Sequence, residues 1–465
     1  MAINLGRLEK RTAGLRAQNS MQLQQSFGRV LQGSGGAIKG RRTRLFSTCM
    51  TFWLFLWQTL SPDPTCKTAV LSFLAWLALK RDRVASSNTA AYCKARMRLP
   101  MTAIQSAHAN LVENLERHES SQTHWHGHRV LVVDGTGISM PDTSQNQEQY
   151  PQSKSSKPGC GFPEMKLVAL FSLATGALLR HGESSRKHGE LTLFRRLWDV
   201  LRPGDIVLAD RGFCNFADFY RLAQRKVDSV MRLHQRRKTG VTLVKRLGVG
   251  DELVQWHKSK PVPKGLTKEQ WAAMPDRLTV RHITFNPAIP GFRTKIITIA
   301  TTLTDHKQYP AAAFAELYRR RWLVELFLRD IKTTMGMDIL RCKTPEMIEK
   351  ELTMHLIAYN LVRLTMLQAA RMSKLKIERI SFKTTLTALC QWAQTIQAAP
   401  KEQRLRLYQK MLQAIARDPL PNRPNRIEPR VRKRRPKNYQ LMNKPRHEMQ
   451  EIQHRNRYKS KTNNA

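Results

Sequence analysis

The spacing of apolar and polar residues divides the chain into helical and β-like stretches. From residue 45 to about residue 116 the apolar positions recur at three- and four-residue steps, which predicts helices. One amphipathic helix covers residues 67–80, and a basic second helix begins near Asn88 after a short link. This part of the chain is therefore expected to form a small helical unit.

The pattern changes at His128, where HRVLVVDGT is a continuous apolar run that ends in an acid. Such a run is typical of a strand buried on both faces. The segment MKLVALFSLATGALLRHGES predicts two more strands around a turn at residues 174–177. The order β-β-β-α-β-α-β then predicts a mixed α/β sheet. Its later members are a helix at about 189–201, a strand at 205–210, a helix at about 215–225 and a strand at 228–233.

Between His234 and about Asp305 the helical period disappears. Short β-like runs separated by basic, proline-containing turns predict a mainly β insertion. The chain then returns to a helical pattern, and residues 317–338 predict one helix because no proline or glycine interrupts it before Gly336. The β-like runs lie at 241–244, 252–257, 278–285 and 294–304.

This helix carries a narrow polar stripe. At about 100° per residue, Tyr318, Arg321, Glu325, Arg329 and Lys332 fall within roughly 80° of the circle, and apolar side chains take most of the rest. A solvated helix face is normally the broad side. The stripe therefore indicates either a site for metal and phosphate or a structural Glu325 paired with arginine, and this stretch alone does not separate the two.

The composition favours a polyanionic partner. Lys and Arg number 79 against 35 Asp and Glu, a formal net charge of +44, which favours nucleic acid over a membrane surface. No apolar run approaches the ~20 residues of a membrane span, and no signal-peptide segment is apparent. The seven cysteines include no C-x-x-C pair, so neither a disulfide framework nor a zinc site is indicated and a cytoplasmic location is expected. The helices at 67–80 and 88–100 are compatible with helix-turn-helix DNA contact, although any small helical bundle gives this pattern.

Three carboxylates are candidates for one site. Asp134 and Asp210 follow apolar strands, and in an open α/β sheet ligands gather at the carboxyl ends of the strands. With Glu325 they form an oxygen-rich set that suits Mg²⁺ or Mn²⁺, and two such ions can serve phosphoryl transfer. Either aspartate alone is more often a loop or cap residue, but the joint pattern on so basic a chain favours the metal site.

At these residues the chain resembles the DDE transposases of bacterial insertion sequences, in particular the insertion-element-four group. Asp134 lies in VVDGT, Asp210 lies in LADRGF, and the signature Tyr-x2-Arg-x3-Glu-x6-Lys matches Tyr318, Arg321, Glu325 and Lys332. The segments IKTTMGMDILRCKTPEMIEKEL and HLIAYNLVR are also similar to the family. The resemblance covers roughly residues 45–437.

The resemblance implies an α/β (α+β) fold with a ribonuclease-H-like catalytic core, and cut-and-paste DNA transposition with two Mg²⁺ ions, for which Mn²⁺ can substitute. Asp134 would ligate both ions, Asp210 one and Glu325 the other. It further implies a cytoplasmic homodimer that bridges two transposon ends and acts on target DNA, with no membrane partner. Contacts to the DNA backbone would come from Tyr318, Arg321 and Lys332, and Arg211 and Arg329 are added as further phosphate contacts.

The expected organisation has seven segments. A flexible basic arm (1–47) precedes a helical DNA-binding domain (48–122), the first part of the core (123–233), the β-rich insertion (234–306), the core helix with Glu325 (307–340), a helical C-terminal region (341–420) and a basic, proline-rich tail (421–465).

Two other functions are open at this point. A catalytically retired, transposase-like DNA-binding protein would be free to lose a carboxylate, and all three are present. A two-metal nuclease without strand transfer has the same residues. One departure concerns a hairpin intermediate, for which some relatives stack a flipped base on a tryptophan of the insertion. The strand KIITIATTL has none, and Trp256 and Trp271 lie elsewhere in the insertion, where either is compatible with a core position.

Overall fold

The computed structural model describes residues 45–78, 85–119, 123–153, 157, 159–185, 187–234, 240–286, 296–422 and 448. The predicted basic arm lies outside the described residues except for its last three positions. The predicted basic tail also lies outside them, apart from residues 421, 422 and 448.

The centre of the fold is one nine-stranded mixed sheet flanked by helices, which confirms the predicted α/β class. Its strand order is β3-β2-β1-β4-β5-β9-β8-β7-β6. The strands β1, β4 and β5 run parallel, and every other neighbouring pair is antiparallel. The strands are β1 (Val130–Ser139), β2 (Glu164–Ser172), β3 (Leu178–Ser185), β4 (Ile206–Ala209), β5 (Asp228–Arg232), β6 (Val241–Gly248), β7 (Asp251–His257), β8 (Arg277–Phe285) and β9 (Ile297–Thr301).

The strands β6 to β9 of the predicted insertion extend this sheet. β9 pairs with β5 through Met231 and Ala300, and β8 pairs with β9 through Ile283 and Ile299. The two tryptophans of this region are core residues, since Trp256 is 0% and Trp271 is 5% exposed. The inserted strands and the first five therefore share one hydrogen-bonded ladder.

The helices cover the sheet and build the two ends of the described chain. The predicted N-terminal helices and the predicted helices after Pro345 are all present. The helices are α1 (Thr48–Leu60), α2 (Cys66–Ala78), α3 (Ala90–Arg98), α4 (Met101–Arg117), α5 (Ser144–Gln149), α6 (Glu190–Arg195), α7 (Phe216–Gln224), α8 (Lys268–Ala272), α9 (Ala311–Arg320), α10 (Leu323–Arg329), α11 (Pro345–Met372), α12 (Phe382–Ala398) and α13 (Lys401–Ala416). Among these described helices, none is long and apolar enough to cross a membrane.

The central helix is α11, which packs against α1, α4, α12 and α13. Pro345 occupies its first turn, and the Thr344 side chain caps it by accepting from the Met347 amide. Residues 351–360 are all buried, so this helix is surrounded by other elements on every side. It therefore connects the N-terminal helices, the sheet and the C-terminal helices.

The prediction of one continuous helix at residues 317–338 is wrong. The helix breaks between α9 and α10, where Arg321 and Trp322 donate to carbonyls three residues back, those of Tyr318 and Arg319. After α10 the chain widens into a π-helical turn at Asp330–Thr334, which ends before Gly336 at a φ of 72°. The periodicity cannot show either change, because one short 3₁₀ or π turn leaves the spacing of apolar residues within the scatter of an α-helical pattern.

Candidate active site

Asp134 and Asp210 lie side by side at the carboxyl edge of the parallel part of the sheet. The parallel pairing of β1 with β4 includes Val132 opposite Leu208, and each aspartate lies two residues beyond this pair. The two strands are therefore parallel neighbours, the condition for both aspartates to lie at one sheet edge. The expectation that Asp134 ends its strand is wrong, because β1 continues to Ser139 in antiparallel pairing with β2.

The backbone fixes both aspartate side chains. An oxygen of Asp134 accepts from the Gly135 amide at 2.8 Å, and an oxygen of Asp210 accepts from the Gly212 amide at 2.8 Å. Such bonds orient a carboxylate and stabilise its charged form. Each aspartate therefore keeps one oxygen on the backbone and leaves the other to a further partner.

Glu325 comes to this edge from α10, which packs on β1. Arg321 Nη2 donates to Glu325 Oε1 at 2.8 Å, and the Glu325 side chain is 38% exposed. The Arg321 guanidinium also lies 5.9 Å from the ring centre of the buried Tyr318. The predicted stripe thus brings Tyr318, Arg321 and Glu325 together in spite of the helix break.

The three carboxylates share one electrostatic environment. The pKa of Asp134 is raised to about 6, chiefly by burial. The charges of Asp210 and Glu325 contribute to this rise, while the Gly135 amide and Arg321 oppose it. Carboxylates raise one another's pKa when they lie within a few ångströms without a compensating cation. The set therefore carries more negative charge than Arg321 alone balances.

The donor chemistry fits a hard divalent cation, because all three side chains offer carboxylate oxygens. The carboxylates are not gathered around one point, however. Within the described ranges no group of three or more His, Cys, Asp or Glu side chains is arranged to hold a metal ion. Glu325 Oε1 is bonded to Arg321 instead, so a cation that used this oxygen would compete with the guanidinium.

Lys332 contacts β1 directly from the π-helical turn. Its Nζ donates to Thr136 Oγ1 and to the Gly137 carbonyl oxygen, both at 2.8 Å. Thr136 lies two residues after Asp134 on the same face of the strand. Lys332 therefore joins the helix of Glu325 to the strand of Asp134, a contact that the sequence did not predict.

The two additional phosphate-contact candidates lie at the edge of this site. Arg211 follows Asp210 directly and is exposed. The Arg329 side chain is 59% exposed, and its Nη2 lies 3.5 Å from Asp330 Oδ1. Both side chains therefore place positive charge at the edge of the site.

The segment HLIAYNLVR supports the sheet behind the site. The Tyr359 hydroxyl donates to the Gly176 carbonyl oxygen at 2.6 Å, and Asn360 bonds both the amide and the carbonyl of Leu178. Arg363 donates to the Thr175 carbonyl oxygen through Nε at 2.9 Å and Nη2 at 2.5 Å. These side chains of α11 thus bind the turn between β2 and β3, a role whose only signal in the sequence was polar residues inside an apolar helix.

Comparison with known proteins identifies the family. The family profile described as the transposase DDE domain matches residues 125–361, just over half of the chain. The chain belongs to the DDE transposase family. The matched range contains all three carboxylates, the four signature positions and the β2–β3 turn with most of its α11 contacts.

Curated relatives agree with this membership. The chain is 28% identical over 358 residues to transposase InsG for insertion sequence element IS4 of Escherichia coli K12, which covers 75% of this chain and 77% of that protein. It is 26% identical over 195 residues to putative transposase y4zB of Sinorhizobium fredii, which covers 41% of this chain and 49% of that protein. This DDE transposase is therefore an enzyme of the insertion-sequence type.

Among solved structures, the piggyBac transposase synaptic complex with hairpin DNA aligns with a TM-score of 0.38 and 10% identity. The alignment covers 90% of this chain and 84% of that one. Likeness at this level says nothing about individual residues of the site.

Proposed function

We propose that this transposase cleaves and joins DNA strands at a site formed by Asp134, Asp210 and Glu325, which hold divalent cations, preferably two Mg²⁺. The observation that carries the proposal is the shared environment of the three carboxylates at one sheet edge, where burial and mutual repulsion raise the pKa of Asp134. Divalent cations remove that repulsion, and when bound they activate a water or hydroxyl and stabilise the leaving oxygen.

The Arg321 guanidinium can donate either to Glu325 or to a DNA phosphate. It is bonded to Glu325 and lies under the influence of Asp134. A DNA phosphate at the site offers the guanidinium a bidentate acceptor, and cations offer Glu325 a stronger partner. We therefore propose that Arg321 moves from Glu325 to the DNA backbone when substrate and cations bind together.

Tyr318 and Lys332 have different positions in this proposal. Burial raises the pKa of Tyr318 to about 12, so its hydroxyl stays protonated at physiological pH and can donate to a phosphate oxygen. Lys332 holds β1 against the helix of Glu325. Its ammonium group contacts Thr136, two residues along β1 from Asp134, and so adds positive charge near that carboxylate. Arg211 and Arg329 contribute exposed charge at the rim of the same site.

The wider organisation is proposed on the same basis. The β3-β2-β1-β4-β5 part of the sheet, with β1, β4 and β5 parallel, is the order expected of a ribonuclease-H-like core. The helical N-terminal region would contact DNA through the basic α3, with the predicted arm and tail adding non-specific attraction. A homodimer on two transposon ends completes the proposal, with target DNA as the second substrate.

The decisive experiment uses purified protein, Mg²⁺ and DNA that carries the inverted repeats flanking the gene. We expect strand cleavage, and Asp134→Ala, Asp210→Ala and Glu325→Ala should each abolish it. Asp199→Ala is the matched control, because Asp199 is an exposed acid paired with Arg180 away from the site. Unchanged cleavage in any of the three site variants would reject the assignment.

A second assay separates strand transfer from simple cleavage. Pre-cut ends are mixed with supercoiled target plasmid, and only a transposase joins the two. Joined products support the full proposal, whereas cleavage without joining indicates a two-metal nuclease. Absence of both, with DNA binding retained, indicates a catalytically retired protein.

A further inference from the structure

A pocket of about 360 Å³ lies between the N-terminal helices, the end of the catalytic helix and the C-terminal helices. Its walls come from the end of α1, the π-helical turn and the segment after it, α11 and α12. This volume lies at the lower end of the range typical of small-molecule sites. The pocket is separate from the carboxylate site, since none of the three acids lines it.

One residue of the pocket wall has a buried polar atom without a partner in the described part of the chain. His355 lines the pocket and is 6% exposed, and its Nδ1 makes no hydrogen bond within the part of the chain that the structure describes. Burial lowers the pKa of His355 to about 4, so the ring is neutral at physiological pH. A neutral imidazole offers one donor and one acceptor, and burying either without a partner is unfavourable. The ring is therefore suited to a polar ligand group.

Two positively charged side chains line the pocket. Arg341 and Lys383 are both exposed pocket residues. Among the described residues, neither the Arg341 guanidinium nor the Lys383 ammonium donates a hydrogen bond or forms an ion pair. The carboxylate of Glu351, which also lines the pocket, accepts hydrogen bonds from the backbone amides of Arg341 and Cys342. Positive charge thus remains available for an anionic group.

The pocket and the carboxylate site share a wall. Lys332 of the π-helical turn contacts β1 at Thr136, while the next two residues, Thr333 and Thr334, line the pocket. Consecutive residues of this turn therefore reach β1 and the pocket. A group bound in the pocket would lie next to DNA engaged at the carboxylates.

We propose that this pocket binds a single nucleotide, with its phosphate at Arg341 and Lys383 and its base toward His355 and Gln391. Leu60, Pro62 and Leu386 supply apolar wall for the base, and Thr387 and Gln391 supply further hydrogen-bonding groups. The nucleotide belongs either to a DNA strand at the active site or to the free pool. The DNA source rests on the proposed function, whereas nucleotide binding itself does not.

The test is calorimetric titration of the full-length protein in EDTA with deoxyadenosine 5′-monophosphate, inorganic phosphate or a short single-stranded oligonucleotide. We expect the mononucleotide to bind more tightly than phosphate. Lys383→Glu and Arg341→Glu should weaken mononucleotide binding ~10-fold or more, as expected for loss of a charge-assisted hydrogen bond. Lys410→Glu on α13 is the control, because Lys410 is an exposed lysine outside the pocket.

The base contact is tested separately. His355→Leu should weaken binding of the mononucleotide and leave that of inorganic phosphate unchanged. Oligonucleotide binding that falls in the same variants supports a DNA source, and oligonucleotide binding that does not fall supports a free nucleotide. Equal effects of Lys383→Glu and Lys410→Glu, or equal binding of mononucleotide and phosphate, would overturn the proposal.

Because the titrations contain EDTA, their result is independent of catalysis. Repeating them with Asp134→Asn separates the two ideas further, since this variant lacks a proposed metal ligand and retains the pocket. Failed cleavage by the wild-type protein, with intact nucleotide binding, would reject the proposed function alone. Intact cleavage with no nucleotide binding would reject the pocket alone.

Discussion

Arg321 is bonded to Glu325 one helical turn away, at 2.8 Å, across the point where α9 gives way to α10. The pair places a cation beside three carboxylates and compensates part of their repulsion. It also occupies Glu325 Oε1, one of the oxygens that would hold a cation in the proposed function. In that proposal a cation and the Arg321 guanidinium compete for Glu325.

The first prediction follows from this competition. Mg²⁺ should raise the melting temperature of the wild-type protein by mass action, and it should raise that of Arg321→Ala by more. Without the guanidinium the carboxylates repel one another more strongly in the cation-free protein, so a bound cation relieves more. Differential scanning fluorimetry over a Mg²⁺ series measures both shifts, with Arg320→Ala as the neighbouring control. Equal shifts would mean that Arg321 does not compete with the metal.

Lys332 should be more important for activity than for stability. Lys332→Met removes two hydrogen bonds to β1, which we expect to cost ~1–3 kcal/mol of unfolding free energy. Strand cleavage should fall ~100-fold or more, because a small displacement of a catalytic group has an effect of that size. Urea unfolding and single-turnover cleavage measure the two quantities. Lys343→Met, at an exposed lysine, should change neither, and proportionate losses in Lys332→Met would argue against a positioning role.

Arg363 should be a stability residue. Arg363→Ala removes the two hydrogen bonds to the buried Thr175 carbonyl and opens a cavity. We therefore expect the free energy of unfolding to fall by ~2–4 kcal/mol. Gly176→Ala should be similarly harmful, because Gly176 has a φ of 67° and a Cβ there would collide with the Arg363 guanidinium. Denaturant unfolding measures both, and the exposed Arg417→Ala serves as the control. A change in the free energy of unfolding below roughly 0.5 kcal/mol, which is typical of surface substitutions, would show that Arg363 does not stabilise the fold.

Acid should destabilise the protein through His108. Burial, with smaller effects of His181 and Arg180, lowers the pKa of His108 to about 3 in the folded chain. Below the unfolded pKa of about 6.5, the unfolded chain takes up a proton that the folded chain does not. The free energy of unfolding therefore decreases as the pH is lowered. The expected loss from this group between pH 7 and pH 5 is about 2 kcal/mol.

His108→Gln should remove that part of the pH dependence. Unfolding free energies of both proteins at pH 5, 6 and 7 give the comparison. The variant is expected to lose stability at pH 7 through its packing, so the difference between pH values is the relevant quantity. Parallel curves for the two proteins would show that His108 titrates normally in the folded chain.

The sheet was largely predictable from sequence because continuous apolar runs such as HRVLVVDGT have few alternatives to a buried strand. The extent of the strands was not predictable in the same way. Asp134 reads as the end of a strand because the apolar run stops there, yet antiparallel pairing with β2 carries β1 on to Ser139. A polar residue inside a strand at a site breaks the pattern that a sequence reading depends on.

The candidate site was predictable to the level of its residues and less so in its contacts. Periodicity placed Tyr318, Arg321 and Glu325 together, since these three are spaced by three and four positions. It could not show that Lys332 turns toward β1, because that depends on the π-helical turn and on packing between distant segments. The partnership of Arg363 with Thr175 likewise joins residues far apart in sequence.

The pairing of β9 with β5 has a consequence for the time course of synthesis. Asp134 and Asp210 leave the ribosome well before Glu325, and the strands between them must first complete the ladder back to β5. Pairing over such sequence distances is slow compared with local structure formation. A nascent chain thus has its N-terminal helices before it has all three carboxylates of the proposed site. If these helices contact DNA as proposed, they can do so before the chain is able to cleave it.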